Sequence, residues 1–253
     1  MREIQNRGRT ANDVWGDFRF SVATGKIKGL YQRVQFGKNP DVNSSYEDIW
    51  AYGGTKPYPA TATTLNVVSS NAADDVGGAG ATEIRVEYLD GDFNTKVVDV
   101  ELNGIGSVQV ATDFLRLQDA FVLYGAPAVG DIDLSYSGGV VGRIRVGRTD
   151  VENTQFTVPA GFTAYIVGAN VGLGKSSDAQ IDLQLRDATN GAIFRTYDEV
   201  SLFENNILFD YPLAFPVQEK HDIRIQAISA QGNSSVGVAY YMILRDNDIY
   251  RND

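Results

Sequence analysis

The chain predicts an all-β fold, with two antiparallel β-sandwich units of jelly-roll or immunoglobulin-like type behind an extended amino-terminal arm. Three observations predict it. Short segments with period-two alternation, rich in β-branched and aromatic residues, recur from about residue 60 to the carboxyl terminus. Asp-Gly, Asn-Gly and Gly-Gly dipeptides separate them. None is followed by the ~10–15 residues of helical pattern that a βαβ unit requires.

In order, residues 1–59 read as the arm with an aromatic anchor at its end, because they are Gly-, Asn- and Arg-rich and show no sustained period. Residues 60–149 read as a first small sandwich, with strands near 83–89, 96–102, 108–111, 114–124, 132–136 and 142–146. Residues 150–253 read as a second unit. It opens with a strand, a Pro159-Ala160-Gly161 reversal and another strand, then continues with strands near 179–186, 192–200, 213–217, 222–230 and 235–244. Asn190-Gly191 reads as a tight hairpin, since both residues accept the positive φ of a primed turn. A long return connection at 204–210 points to a jelly roll. The segment from Val236 to Leu244 is apolar throughout, as expected of a strand facing a core on one side and a subunit on the other.

Composition narrows the function classes. The 253 residues are 43% hydrophobic and 21% charged, enough to bury a sizeable core. No run of about eighteen apolar residues and no signal-type segment follows Met1, so neither a membrane span nor export is expected. The absence of cysteine removes disulfides, thiol catalysis and Cys-ligated zinc together. Charge is split: residues 1–40 carry a net +5 and the remainder a net −15. A basic arm on an acidic body suits docking to an acidic protein surface, and the acidity of the body speaks against nucleic acid as the main ligand.

The candidate chemical groups have bland alternatives. His221 is the single histidine, but it sits in a Glu219-Lys220-His221-Asp222 turn with no nucleophile elbow elsewhere, and reads as a surface residue. Asp90, Asp92 and Asn94 echo the start of an EF-hand loop without its glycine at the sixth place or its glutamate at the twelfth, and read as a self-capping turn. Val76-Gly77-Gly78-Ala79-Gly80-Ala81 lacks the Lys-Ser/Thr of a phosphate loop and leads into a strand, so it reads as a flexible hairpin loop. No cofactor, metal or catalytic residue is assigned.

The centre of the chain carries a resemblance. Tyr46-Glu47-Asp48-Ile49-Trp50-Ala51-Tyr52-Gly53-Gly54 and Tyr58-Pro59 are followed by Leu65-Asn66-Val67-Val68-Ser69-Ser70, the loop from Asp74 to Ala81, Leu89-Asp90-Gly91-Asp92-Phe93-Asn94, Val100-Glu101-Leu102-Asn103-Gly104 and Phe114-Leu115-Arg116. This succession, over about a hundred residues, resembles virion structural proteins of tailed bacteriophages, many from marine and cyanobacterial hosts. The resemblance implies a non-enzymatic virion component, assembled in the host cytoplasm and bound to the major capsid protein or other virion proteins. Within it, a capsid decoration or cement protein is expected, and the analogy with such proteins suggests a homotrimer. A neck, tail or head-fibre component that binds host glycans is the alternative, with a virion-associated hydrolase behind it. The residues expected to meet partners are Arg2, Arg7, Arg9, Trp15, Arg19, Lys26 and Lys28 of the arm and Trp50, Tyr52 and Tyr58 of the anchor.

Overall fold

The computed structural model describes residues 18, 20–174 and 177–249. Its strands are β1 (Leu30–Val42), β2 (Glu47–Asp48), β3 (Thr63–Ser69), β4 (Ala81–Asp90), β5 (Thr95–Glu101), β6 (Val108–Gly125), β7 (Ile132–Tyr136), β8 (Gly139–Ile144), β9 (Phe156–Thr157), β10 (Phe162–Leu173), β11 (Asp178–Asp187), β12 (Arg195–Phe203), β13 (Asn206–Val217), β14 (His221–Ile228) and β15 (Ser234–Asp246). All pairings between strands are antiparallel.

Four pairs nest inside one another: β11 with β12, β10 with β13, β2 with β14 and β1 with β15. They fall alternately in two sheets, ordered β1-β15-β10-β13 and β12-β11-β14-β2. One long hairpin rolled into two facing sheets in this way is a jelly roll. The core between the sheets is made by inward residues of alternating strands, as in β15, where Val236, Val238, Tyr240 and Met242 are buried and the intervening residues are half-buried. Tyr240 directs its hydroxyl to the Thr154 carbonyl at 2.9 Å, which satisfies the polar end of a buried ring.

The jelly roll therefore needs β1 and β2, and the expected arm is corrected over residues 30–59. Residues 30–42 and 47–48 are its first two strands. The alternation of β1 is masked by Gly37-Lys38-Asn39-Pro40, where the chain passes close to other backbone. A Cβ on Gly37 would lie 2.5 Å from the Ile49 carbonyl oxygen and 2.7 Å from the Thr154 nitrogen. Two further expectations are corrected. Asn190-Gly191 lies in a longer connection between β11 and β12, where the Asp187 carboxylate accepts from the Thr189 amide, the Thr189 hydroxyl and Asn190 Nδ2. Residues 206–210 belong to β13, and the chain turns back after β12 through Glu204 at φ +48°.

Strands β3 to β8 form a second unit inserted between β2 and β10. Their single sheet, β5-β4-β6-β3-β7-β8, is organised by the 18-residue β6. The first part of β6 pairs with β3 and the second with β4, and both partners reach Phe114, which is wholly buried. The sheet folds over at this point. Gly142 of β8 lies against Leu117 of β6 so closely that a Cβ would collide with the leucine methyl. The resulting core contains Leu65, Ile84, Val86, Phe114, Leu117, Ile132, Leu134 and Ile144. Leu89, Phe93 and Leu115 of the insert form a smaller cluster with Ala160 and Ala188 of the jelly roll.

Candidate interaction surfaces

The two units meet across buried polar groups. Arg116 of β6 donates from Nε to Asp222 Oδ1 at 2.9 Å and from Nη2 to Oδ2 at 3.3 Å, while Nη1 reaches the Pro59 carbonyl at 2.8 Å. Asp222 is wholly buried, and it also accepts from Arg186 Nε at 2.8 Å and Thr157 Oγ1 at 2.5 Å. Gln118 clamps β9 from both sides of its amide, donating to the Thr157 carbonyl at 2.6 Å and accepting from the Thr157 nitrogen at 3.1 Å. Arg33 of β1 pairs with Glu87 of β4 at 2.7 Å. A junction built this way fixes the orientation of the units, because parting them would strand several desolvated charges.

The aromatic anchor belongs to this junction, which corrects its expected role for two residues. Trp50 is 2% exposed and donates to the Gly54 carbonyl at 3.1 Å. Tyr58 is packed beside Phe194, with the Arg186 and Arg116 guanidinium groups 4.5 and 5.1 Å from its ring centre. Burial pushes its hydroxyl well above the ordinary phenol range. Trp50 is spent inside the chain and Tyr58 is half-buried against these groups, because a large apolar surface gains more from the interior than from solvent. Tyr52 alone of the three is exposed, lying 5.3 Å from Trp50 and 4.5 Å from the Arg143 guanidinium. Nearby, burial lowers the Lys56 ammonium to about 7 and raises Asp48 above the usual carboxylate range.

Of the arm, Arg2, Arg7, Arg9, Trp15 and Arg19 lie outside the described residues. Lys26 and Lys28 are exposed ahead of β1, the former 5.4 Å from the Phe20 ring. His221 is half-buried, its Nδ1 3.0 Å from the Glu219 carbonyl. The Asp90 carboxylate accepts from the Asp92 and Asn94 amides at 3.0 and 2.9 Å, capping its own turn.

The Gly-rich loop, expected to be flexible, is instead interlocked. Asp74 is wholly buried, and its carboxylate accepts from Ser69 Oγ at 2.6 Å and from the amides of Ala81, Val129 and Gly130 at 3.0, 2.9 and 2.8 Å. Burial acts to raise its pKa, but these donors outweigh it and hold the group below the usual carboxylate range. The Asp74 carbonyl accepts from Gly104, so a fourth segment is tied to the same residue. A Cβ on Gly80 would collide with Asp74 Oδ1. These loops meet at one end of the insert and display Val76, Ile105 and Val129 to solvent, and the exposed Val146 is held beside them by its amide, which donates to Asp131 Oδ1 at 3.0 Å. A rigid loop platform with apolar tips can bind a partner with little ordering cost.

A second surface is the open side of the jelly roll. There β12 and β13, each the end strand of its sheet, lie over one another. Tyr211 donates to Asp198 Oδ2 at 2.8 Å, and Tyr197 stacks on Phe215 with ring centres 6.2 Å apart. Leu213, Ile193 and Leu208 are 85%, 78% and 71% exposed, the most exposed large apolar side chains among the described residues.

Sequence reasoning named Arg116, Asp222 and Asp74 within motifs and turns but gave none of them its part in the junction or the loop platform. Arg116 is a lone base between Leu115 and Leu117 in a strand otherwise buried there, and that pattern is the one signal that points to it.

No protein-family model matches the chain, and a search of curated proteins finds no match. Solved structures similar in part include a chain of the Sulfolobus Turreted Icosahedral Virus, 13% identical over 86% of this chain and 60% of that one, with a TM-score of 0.26. An Arthrobacter globiformis T6 isomalto-dextranase complexed with panose is 12% identical over 85% of this chain and 35% of its own, at 0.25. The infectious bursal disease virus VP2 subviral particle is 11% identical over 88% and 74%, at 0.23. This chain thus spans less than two thirds of the first two. Scores this low do not align the folds strand by strand and carry no weight for function.

Proposed function

We propose that the chain is a bacteriophage virion structural protein of the capsid decoration or cement type, stabilising the shell by protein–protein contacts and without catalysis. The observation that carries this reading is the interlocked loop platform around Asp74, held at a fixed angle to a jelly roll by the Arg116–Asp222 junction. Jelly rolls recur in viral particles and also in lectins and cupins, so the fold narrows the field without deciding it. The platform lies within the stretch that resembles tailed-phage virion proteins, and its apolar tips suit a contact with the major capsid protein. A specific contact of this kind buries about 1,600 Å² in total, and repetition over a shell multiplies its effect.

The test is binding of purified protein to shells that lack it. Val76→Asp together with Ile105→Asp should leave the circular dichroism spectrum unchanged and reduce particle binding at least tenfold. Unchanged binding would remove the platform from the contact.

A second reading, a neck, tail or head-fibre component that binds host glycans, draws on the exposed Tyr52, Tyr124 and Tyr197 rings. Host-cell adhesion abolished by a soluble sugar would favour it.

A further inference from the structure

We propose that the open side of the jelly roll receives residues 1–17 of a second copy of this chain, laid as an added strand along β12. This goes beyond the virion reading, because it requires self-association of the purified protein and no other component.

The two end strands are not equivalent. β13 carries Pro212 and Pro216, which lack an N–H, and its register with β10 breaks opposite Ile166 and Gly168. These are the features that blunt a sheet edge against further pairing. β12 has neither proline nor glycine over Arg195–Phe203, and among the described residues it pairs only with β11. Its free edge can therefore accept main-chain hydrogen bonds, while Leu208 and Leu213 of β13 offer apolar contact beside it.

Charge selects the occupant. From Ile193 to Glu204 the edge carries Arg195 against Asp198, Glu199 and Glu204. Two such edges brought together would oppose acid to acid. Residues 1–12 carry Arg2, Arg7 and Arg9 against Glu3, with Ile4 among them, and so match the edge in both charge and apolar content.

Geometry points to a neighbouring copy. The segment leads into β1, which lies at the opposite side of its sheet from β13. The first strand after the segment is thus on the far side of the jelly roll from the acceptor edge of its own copy. Seventeen residues reach about 55 Å when extended, at ~3.3 Å per residue, which is enough to bridge to a neighbour.

Reciprocal charge reversal in the full-length protein tests this. The arm variant is Arg2→Glu/Arg7→Glu/Arg9→Glu and the edge variant is Glu199→Lys/Glu204→Lys, each checked for an unchanged circular dichroism spectrum. Sedimentation velocity at low salt should show wild-type self-association that weakens as salt is added. Each variant alone should associate at least tenfold more weakly, and an equimolar mixture of the two should recover association. The proposal is overturned if the wild type stays monomeric at about 100 μM, where a micromolar interface would be largely filled. It is equally overturned if arm reversal changes nothing, as an edge-to-edge dimer would require, or if the mixture remains monomeric, as docking on the same copy's edge would require.

Discussion

Arg116 and Asp222, 106 residues apart in sequence, form a two-point ion pair at 2.9 and 3.3 Å in which the arginine side chain is 7% exposed and the aspartate not at all. One belongs to the insert and the other to the jelly roll. Asp222→Ala would leave Arg116 and Arg186 without their shared carboxylate. A loss of ~3–5 kcal/mol is expected, as for other buried pairs broken from one side. Urea unfolding followed by tryptophan fluorescence measures it, and a loss below about 1 kcal/mol would mean that the junction does not hold the units together.

Asp74 makes the corresponding prediction for the loop platform. Asp74→Ala strands a hydroxyl and three amides, each at ~1–3 kcal/mol when left without a partner or water. Gly80→Ala forces a methyl into the same carboxylate, at ~1–3 kcal/mol. Both should speed hydrogen exchange at the Val129 and Gly130 amides, and unchanged protection there would contradict the interlocked loops.

Lys56 predicts a pH dependence. Its ammonium titrates at about 7 in the folded chain against an ordinary 10.5, because burial disfavours the charge. Between those values the unfolded chain keeps a proton that the folded chain has released. Stability should therefore rise with pH from ~7 to ~10.5, by at most ~1.4 kcal/mol per pH unit from this group. Below pH 7 the buried charge costs its full amount. Lys56→Met should be more stable than wild type at pH 6 and should lose the alkaline slope. Equal slopes in the two proteins would refute the assignment.

The anchor residues should separate on substitution. Trp50→Ala removes a buried ring and is expected to cost ~3–5 kcal/mol. Tyr52→Ala removes an exposed one and should cost under about 1 kcal/mol. Thermal melts of the two variants decide it, and similar losses would contradict the placement of the rings.

The all-β class was legible because strand alternation and turn chemistry are local, and β4, β5, β7 and β11 fall within a few residues of their expected positions. The jelly roll's outer pairs were not legible in full. β1 and β15 are joined at Leu30 and Arg245, and no local period reports a partner more than two hundred residues away. The insert between β2 and β10 widened that gap and made the first strands read as an arm. The junction was hidden for a related reason. Asp222 is the second residue of β14 but follows Glu219-Lys220-His221 and so reads in the sequence as part of a turn, and its two arginines come from different elements. The Gly-rich loop looked loose because glycine is equally the residue of flexibility and of close approach, and only the position of Asp74 distinguishes the two.

The most direct test of a structural role in the virion is the number of copies per particle, measured by quantitative peptide mass spectrometry of purified virions against the major capsid protein. A decoration protein should be present in hundreds of copies, in a fixed ratio to the shell subunit. Absence from purified virions would contradict the virion role itself, and a dozen copies or so would replace the shell with the neck or fibre as its place.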